Sequence, residues 1–110
     1  MEGFVKGDVV VVAFPFSDLS QTKRRPALVV AVLGGDDIIL CQITGRSVAG
    51  RDAIPLDAQD FATGGIRQAS NIRPDHLFTA DRGIVLYRVG RLTSENLRGV
   101  VTRIMEILER

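Results

Sequence analysis

The stretch "GDVVVVAFPFSDLSQTKRRPALVV", Gly7 to Val30, decides how the chain is read. After Gly7-Asp8 comes an unbroken β-branched and aromatic run, "VVVVAFPF", checked at Pro15. Such side chains favour extended backbone, so the run is a strand, and its lack of apolar–polar alternation predicts burial on both faces. Phe16 to Arg25 reads as a polar loop that ends in three cations, Lys23, Arg24 and Arg25. Pro26 holds Arg25 to extended geometry, which makes Arg25 the most firmly held of the three. Lys23 and Arg24, farther out on the loop, suit loose steering of phosphate groups.

Working outward, Ala27 to Leu33 is a second apolar strand, "GGDD" (Gly34 to Asp37) is a turn, and Ile38 to Ile43 is a third strand. Two β-branched runs around a Gly-Gly turn predict a hairpin. Farther on, "IPLD" fits a short strand, "AQDF" at most one helical turn, and "IRQASNIRP" a strand that Pro74 ends. "DHLFTAD" is open between helix and extended chain, and "GIVLYRVGRL" is a strand. From Thr93 or Ser94 a single long helix is expected, with Leu97, Val101, Ile104 and Leu108 on one face. Short strands and one terminal helix predict a small, curled, mostly antiparallel β-barrel with a C-terminal α-helix.

With 110 residues, the chain is long enough for one domain, 1–110, and too short for two. Its hydrophobic fraction of 45% is high for so small a domain, which favours cover by a partner or a second copy. The net charge of +1 predicts no polyanion binding by itself, so any such function rests on where the cations sit. One cysteine excludes an internal disulfide, and one histidine beside it argues against a transition-metal site. No run is long and apolar enough for a signal peptide or a membrane span, so a cytoplasmic protein with no cofactor and no membrane contact is expected.

Most polar residues have an ordinary structural reading. Gly34-Gly35 and Gly64-Gly65 lack the spacing of a phosphate-binding loop and read as turns. Cys41 lies within an apolar strand and reads as a core thiol, while His76 reads as structural. Thr44 is different, because it follows directly on the third strand. Counting outward from the turn brings Arg25 and Thr44 to the same open end of the hairpin. A guanidinium fork and a hydroxyl at one such end could grip a phosphate, or could simply be a solvated rim.

Three segments together resemble the MazF/PemK family of toxins from type II toxin–antitoxin modules. They are Gly7 to Val30, "CQITGR" at the end of the third strand, and "SNIRP", Ser70 to Pro74. The resemblance implies a homodimeric SH3-like barrel that cleaves single-stranded RNA without a metal. Its partner would be a cognate acidic antitoxin, with which it would form a DNA-binding complex. By the same resemblance Arg25 and Thr44 are the catalytic residues. Lys23, Arg24, Arg46, Ser70 and Arg73 would edge the RNA groove. Two carboxylates frequent in the family are replaced here, one by Ser20 at about the matching place in the loop and one by Ser70. Asp18 is then a candidate general base. Two further readings stay open on this barrel: a module that binds RNA or an acidic peptide without cutting, and a gyrase poison of the CcdB kind. The latter acts through a tryptophan-bearing C-terminal tip, whereas this chain has no tryptophan and ends in "MEILER".

Overall fold

The computed structural model describes residues 3–15, 22–47 and 50–110. Its strands are β1 (Asp8–Pro15), β2 (Thr22–Val32), β3 (Asp37–Gly45), β4 (Ile54–Leu56), β5 (Phe61–Gly64), β6 (Ser70–Asp81) and β7 (Val85–Leu92), followed by the helix α1 (Ser94–Glu109). All seven strands belong to one antiparallel sheet in the order β4-β6-β3-β2-β1-β7-β5, curled into a half-barrel.

The continuous apolar runs are buried on both faces, as they predict. Val9, Leu28, Cys41, Ile43 and Ile72 point to one face, where Val100 and Ile104 of α1 cover them. Val10, Val12, Ala27, Val29, Ile38 and Leu40 point to the other, closed by Phe4, Phe78, Ile84 and Val85. Burying each valine or leucine contributes about 1.5–3 kcal/mol, so both faces are needed to hold so short a chain together.

Asp8 is completely buried between β1 and β7. It accepts from the Val5 amide at 2.9 Å and from Arg91 Nε at 2.8 Å, and Arg88 stands 3.7 Å away. A buried carboxylate survives only with such partners. The Gly-Asp pair that opens the decisive stretch thus fastens β1 to the last strand.

At the far edge, β5 crosses β7 through two glycines. A Cβ on Gly64 (φ +66°) would overlap the Val89 carbonyl, and one on Gly90 would lie 2.6 Å from the Thr63 carbonyl oxygen. Only glycine permits this approach. The helix starts where expected, with Thr93 Oγ1 accepting from the Asn96 amide at 3.2 Å.

Four details depart from the sequence reading. First, β2 starts at Thr22, so Lys23, Arg24 and Arg25 lie within a strand, paired with Phe14, Ala13 and Val12 of β1, and not on a loop. Ladder pairing carries polar residues into a strand when the partner strand is already fixed. Second, β5 lies in a segment with no apolar run to signal it. Third, Pro74 does not end its strand: β6 bulges over Pro74, Asp75 and His76 and rejoins the ladder at Leu77↔Cys41. The bulge absorbs the missing proline N–H. Fourth, Leu108 is 72% exposed, because the last turn of α1 runs past the core that holds Val100 and Ile104.

A candidate nucleic-acid interface

The second face of the sheet changes character along its length. Side chains directly opposite in an antiparallel ladder share a face. Arg25 pairs with Val12, a member of the second core, so it belongs to that face. On β3, Leu40 of the same core is followed at alternate positions by Gln42 and Thr44. The ladder between β2 and β3 ends at Ala27↔Gln42. Arg25 and Thr44 each lie two residues beyond it, which brings them to the same level of the same face.

A bulge sets that register. From the turn, Val32 pairs with Ile38 and Ala31 with Ile39, then Val30 is skipped and Val29 pairs with Leu40. An unbulged ladder from the same turn would set Gly45, not Thr44, across from Arg25.

Thr44 pairs on its other side with Asn71 of β6. Asn71 is 2% exposed, and its side-chain amide donates to the Arg46 carbonyl at 3.0 Å. It therefore anchors the chain just after Thr44. Sequence reasoning passed over Asn71, although it lies inside the quoted "SNIRP". The signal was a polar side chain two positions from Arg73 in a β segment whose other members are mostly apolar or charged.

The other expected groove residues divide. Arg46 is tied down, with Nε donating to the Ser70 carbonyl at 3.2 Å and Nη2 meeting Asp57 at 3.1 Å. Ser70 opens β6, and its hydroxyl donates to the Gln68 carbonyl at 3.0 Å. Arg73 pairs with Gln42 in the ladder, so it is one step from Thr44. Its guanidinium lies 3.6 Å from Asp75, 3.1 Å from His76 Nε2, and against Gly50, where a Cβ would stand 2.9 Å from Nη2. The bond to Nε2 requires the His76 tautomer protonated at Nδ1. His76 thus orients Arg73. Lys23 is exposed on β2, and Arg24 points to the opposite face from Arg25. Asp18 and Ser20 lie outside the described residues.

Cys41 stays a core thiol. Its Sγ–H donates to the Arg73 carbonyl at 2.9 Å, and burial pushes its pKa up to about 12. A thiol so far from ionisation is no nucleophile. It satisfies the carbonyl that the bulge frees from the ladder. Among the described residues no three His, Cys, Asp or Glu side chains gather where they could hold a metal ion.

The fold has known counterparts. The family model for PemK-like, MazF-like toxins of type II toxin–antitoxin systems matches residues 5–108. A search of curated proteins gave no significant match. Among solved structures, a mycobacterial endoribonuclease in complex with its cognate antitoxin superposes with a TM-score of 0.76 at 13% identity, over 97% of this chain and 96% of that one. The Mycobacterium tuberculosis toxin MazF-mt6 gives 0.71 at 16%, covering 93% and 96%. MazF from Deinococcus radiodurans gives 0.70 at 22%, covering 96% of each chain.

Proposed function

The chain belongs to the PemK-like, MazF-like toxins of type II toxin–antitoxin systems, and on that premise we propose that it is an endoribonuclease that cuts single-stranded RNA without a metal. The observation that carries this reading is the placement of Arg25 and Thr44 at one level of one sheet face, beyond the Ala27↔Gln42 pair.

In the proposed reaction the RNA's own 2′-hydroxyl attacks the adjacent phosphorus, the P–O5′ bond breaks, and a 2′,3′-cyclic phosphate and a free 5′-hydroxyl remain. Negative charge builds on the non-bridging oxygens. Arg25 meets it with a planar, permanently charged fork that matches two phosphate oxygens. A guanidinium is a stabiliser of charge and a poor proton donor. Thr44 hydrogen-bonds the same phosphate and fixes its orientation, and orientation alone lowers such barriers substantially. Arg73, held by His76 and Asp75, supplies a second positive charge along the strand path.

The protein acts as a homodimer that a cognate antitoxin holds inactive. Apolar side chains left open on one copy support the dimer, notably Met105 at 54% and Leu108 at 72% exposure on α1.

The test is incubation of the purified protein with a long RNA in EDTA, followed by mapping of the new ends. Cyclic-phosphate ends that disappear in Arg25→Ala and in Thr44→Ala, with both variants folded, are expected. RNA that is shifted on a gel but stays intact would make the same face a binding surface and would sink the nuclease.

A further inference from the structure

The bulge in β6 gathers three ionisable side chains and leaves one of them short of acceptors. Arg73 Nη2 lies 3.1 Å from His76 Nε2, and the buried Nε of Arg73 donates to nothing among the described residues. The Asp75 carboxylate is near both without bonding either: Oδ1 is 3.6 Å from Arg73 Nε, and Oδ2 is 3.8 Å from His76 Nε2. The Arg73 side chain is 11% exposed, so water does little to satisfy it, whereas the His76 side chain is 47% exposed and open to protons from solvent. The lone pair on Nε2 is therefore an acceptor on which the guanidinium depends. A proton taken up at Nε2 replaces that lone pair with a donor, and two cations then stand 3.1 Å apart. A small movement brings the new N–H onto Asp75 Oδ2, which draws the carboxylate toward His76 and away from Arg73. The guanidinium is left with unmet donors and a weaker counter-charge, and the cluster has gained one positive charge.

We propose that His76 is a proton switch on Arg73: neutral, it occupies the guanidinium, and protonated, it releases the guanidinium to a phosphate of bound RNA. The inference rests on the RNA reading for the identity of the anion. Proton uptake at His76 and RNA binding then favour each other, because a phosphate beside Arg73 stabilises the charged ring as much as the charged ring stabilises the phosphate. The elements packed on β6 keep their own ionisable groups engaged elsewhere. On β3, the Cys41 thiol donates to the Arg73 carbonyl, and burial holds it far from ionisation. The strand β4, Ile-Pro-Leu, carries no ionisable side chain. The segment that leads into β4 meets Arg73 with backbone at Gly50, and its Asp52 is taken by Arg110. On α1, Glu106 meets Arg103, while Arg110 is bonded to Asp52 and also feels the charge of Asp75. Of all these groups, an imidazole is the one suited to change charge near neutrality.

The chain has a single histidine, so its ring can be followed by NMR without ambiguity. At neutral pH the ring-nitrogen resonances of the free protein are expected to report the tautomer protonated at Nδ1. A ring protonated at Nε2 would overturn the proposal, since it cannot accept from Arg73. Binding is read by fluorescence anisotropy with a dye-labelled oligoribonucleotide of mixed sequence, whose methylated 2′-hydroxyls prevent cleavage. Its affinity is expected to rise about tenfold between about pH 7.5 and about pH 5.5, a usual size for coupling between two sites. His76→Gln offers Arg73 an acceptor that does not titrate, and it should flatten that rise. Calorimetry in two buffers of different ionisation enthalpy should show protons taken up on binding by the parent and none by His76→Gln. A rise equally steep in His76→Gln, or an affinity that falls on acidification, would overturn the switch and leave the RNA reading standing. An oligonucleotide that binds at no pH would overturn the RNA reading, and the switch with it.

Discussion

The second face of the sheet has an arginine cluster at each end, and the two are built differently. At one end Arg91 and Arg88 close on Asp8, a carboxylate with no exposed surface. At the other, Arg25 has Val12 as its ladder partner and stands level with Thr44, beside Gln42 and Asn71. Val10 and Val12 separate the two ends. Guanidinium beside a buried carboxylate is a clamp, whose worth lies in the folded state. The ladder positions level with Arg25 carry a hydroxyl and amides instead, the setting proposed above for a phosphate.

The comparison breaks most visibly at the clamp. Asp8→Ala orphans the Val5 amide and leaves Arg91 without its buried partner, so a loss of about 3–5 kcal/mol of unfolding free energy is expected in a denaturant titration. An Asp8→Ala protein as stable as the parent would mean that the clamp is ornamental. At the other end Arg25→Ala is expected to cut the cleavage rate by about 10²–10³-fold, equivalent to roughly 3–4 kcal/mol of barrier. Its unfolding midpoint should stay close to that of the parent. If stability fell instead, the two clusters would be of one kind.

Asn71→Ala sharpens the division, because Asn71 belongs to both categories. It is buried and holds the Arg46 carbonyl, so a cost of about 1–3 kcal/mol in stability is expected. A smaller drop in cleavage than that of Arg25→Ala should accompany it, through a less firmly placed Thr44.

The smallest effect belongs to a third pair, in which buried Asp52 meets half-exposed Arg110. Asp52 accepts from Arg110 at 2.6 and 3.2 Å, and that bond holds its carboxyl below the usual aspartate range. A lowered folded-state pKa adds stability above the unfolded value and loses it as pH falls through the folded one. Asp52→Asn should therefore be slightly less stable than the parent at neutral pH. The gap should close on acidification below about pH 4, as thermal melts at a series of pH values would reveal.

Much of this is legible in the sequence. The runs from Val9 and Ala27 announced two buried faces, since nothing in them alternates. The Gly34-Gly35 turn placed Arg25 and Thr44 at one end of the hairpin. The turn could not give their register, because that depends on skipping Val30, and a β-branched residue in a bulge looks like any other in the run. Asp8 stands in the sequence only as the residue before the apolar run, since its partners Arg88 and Arg91 lie some eighty positions away. Arg24's change of side was hidden for a local reason: a polar run next to a proline looks like loop until a neighbouring strand claims it.

The two bulges lie against adjacent levels of β3, one across from Leu40 and Ile39, the other across from Cys41 and Gln42. Each takes up a mismatch in phase between neighbouring strands, so the pairing near the hairpin tip and the pairing near Arg25 are set separately. Length changes at the tip then have no route to the end that carries Arg25 and Thr44. Gly34 and Gly35 stand in open space there, with no atom within 4 Å of where a side chain would begin. That tip is the natural splice point for a tag, a dye or a foreign peptide in a toxin whose working end must not move.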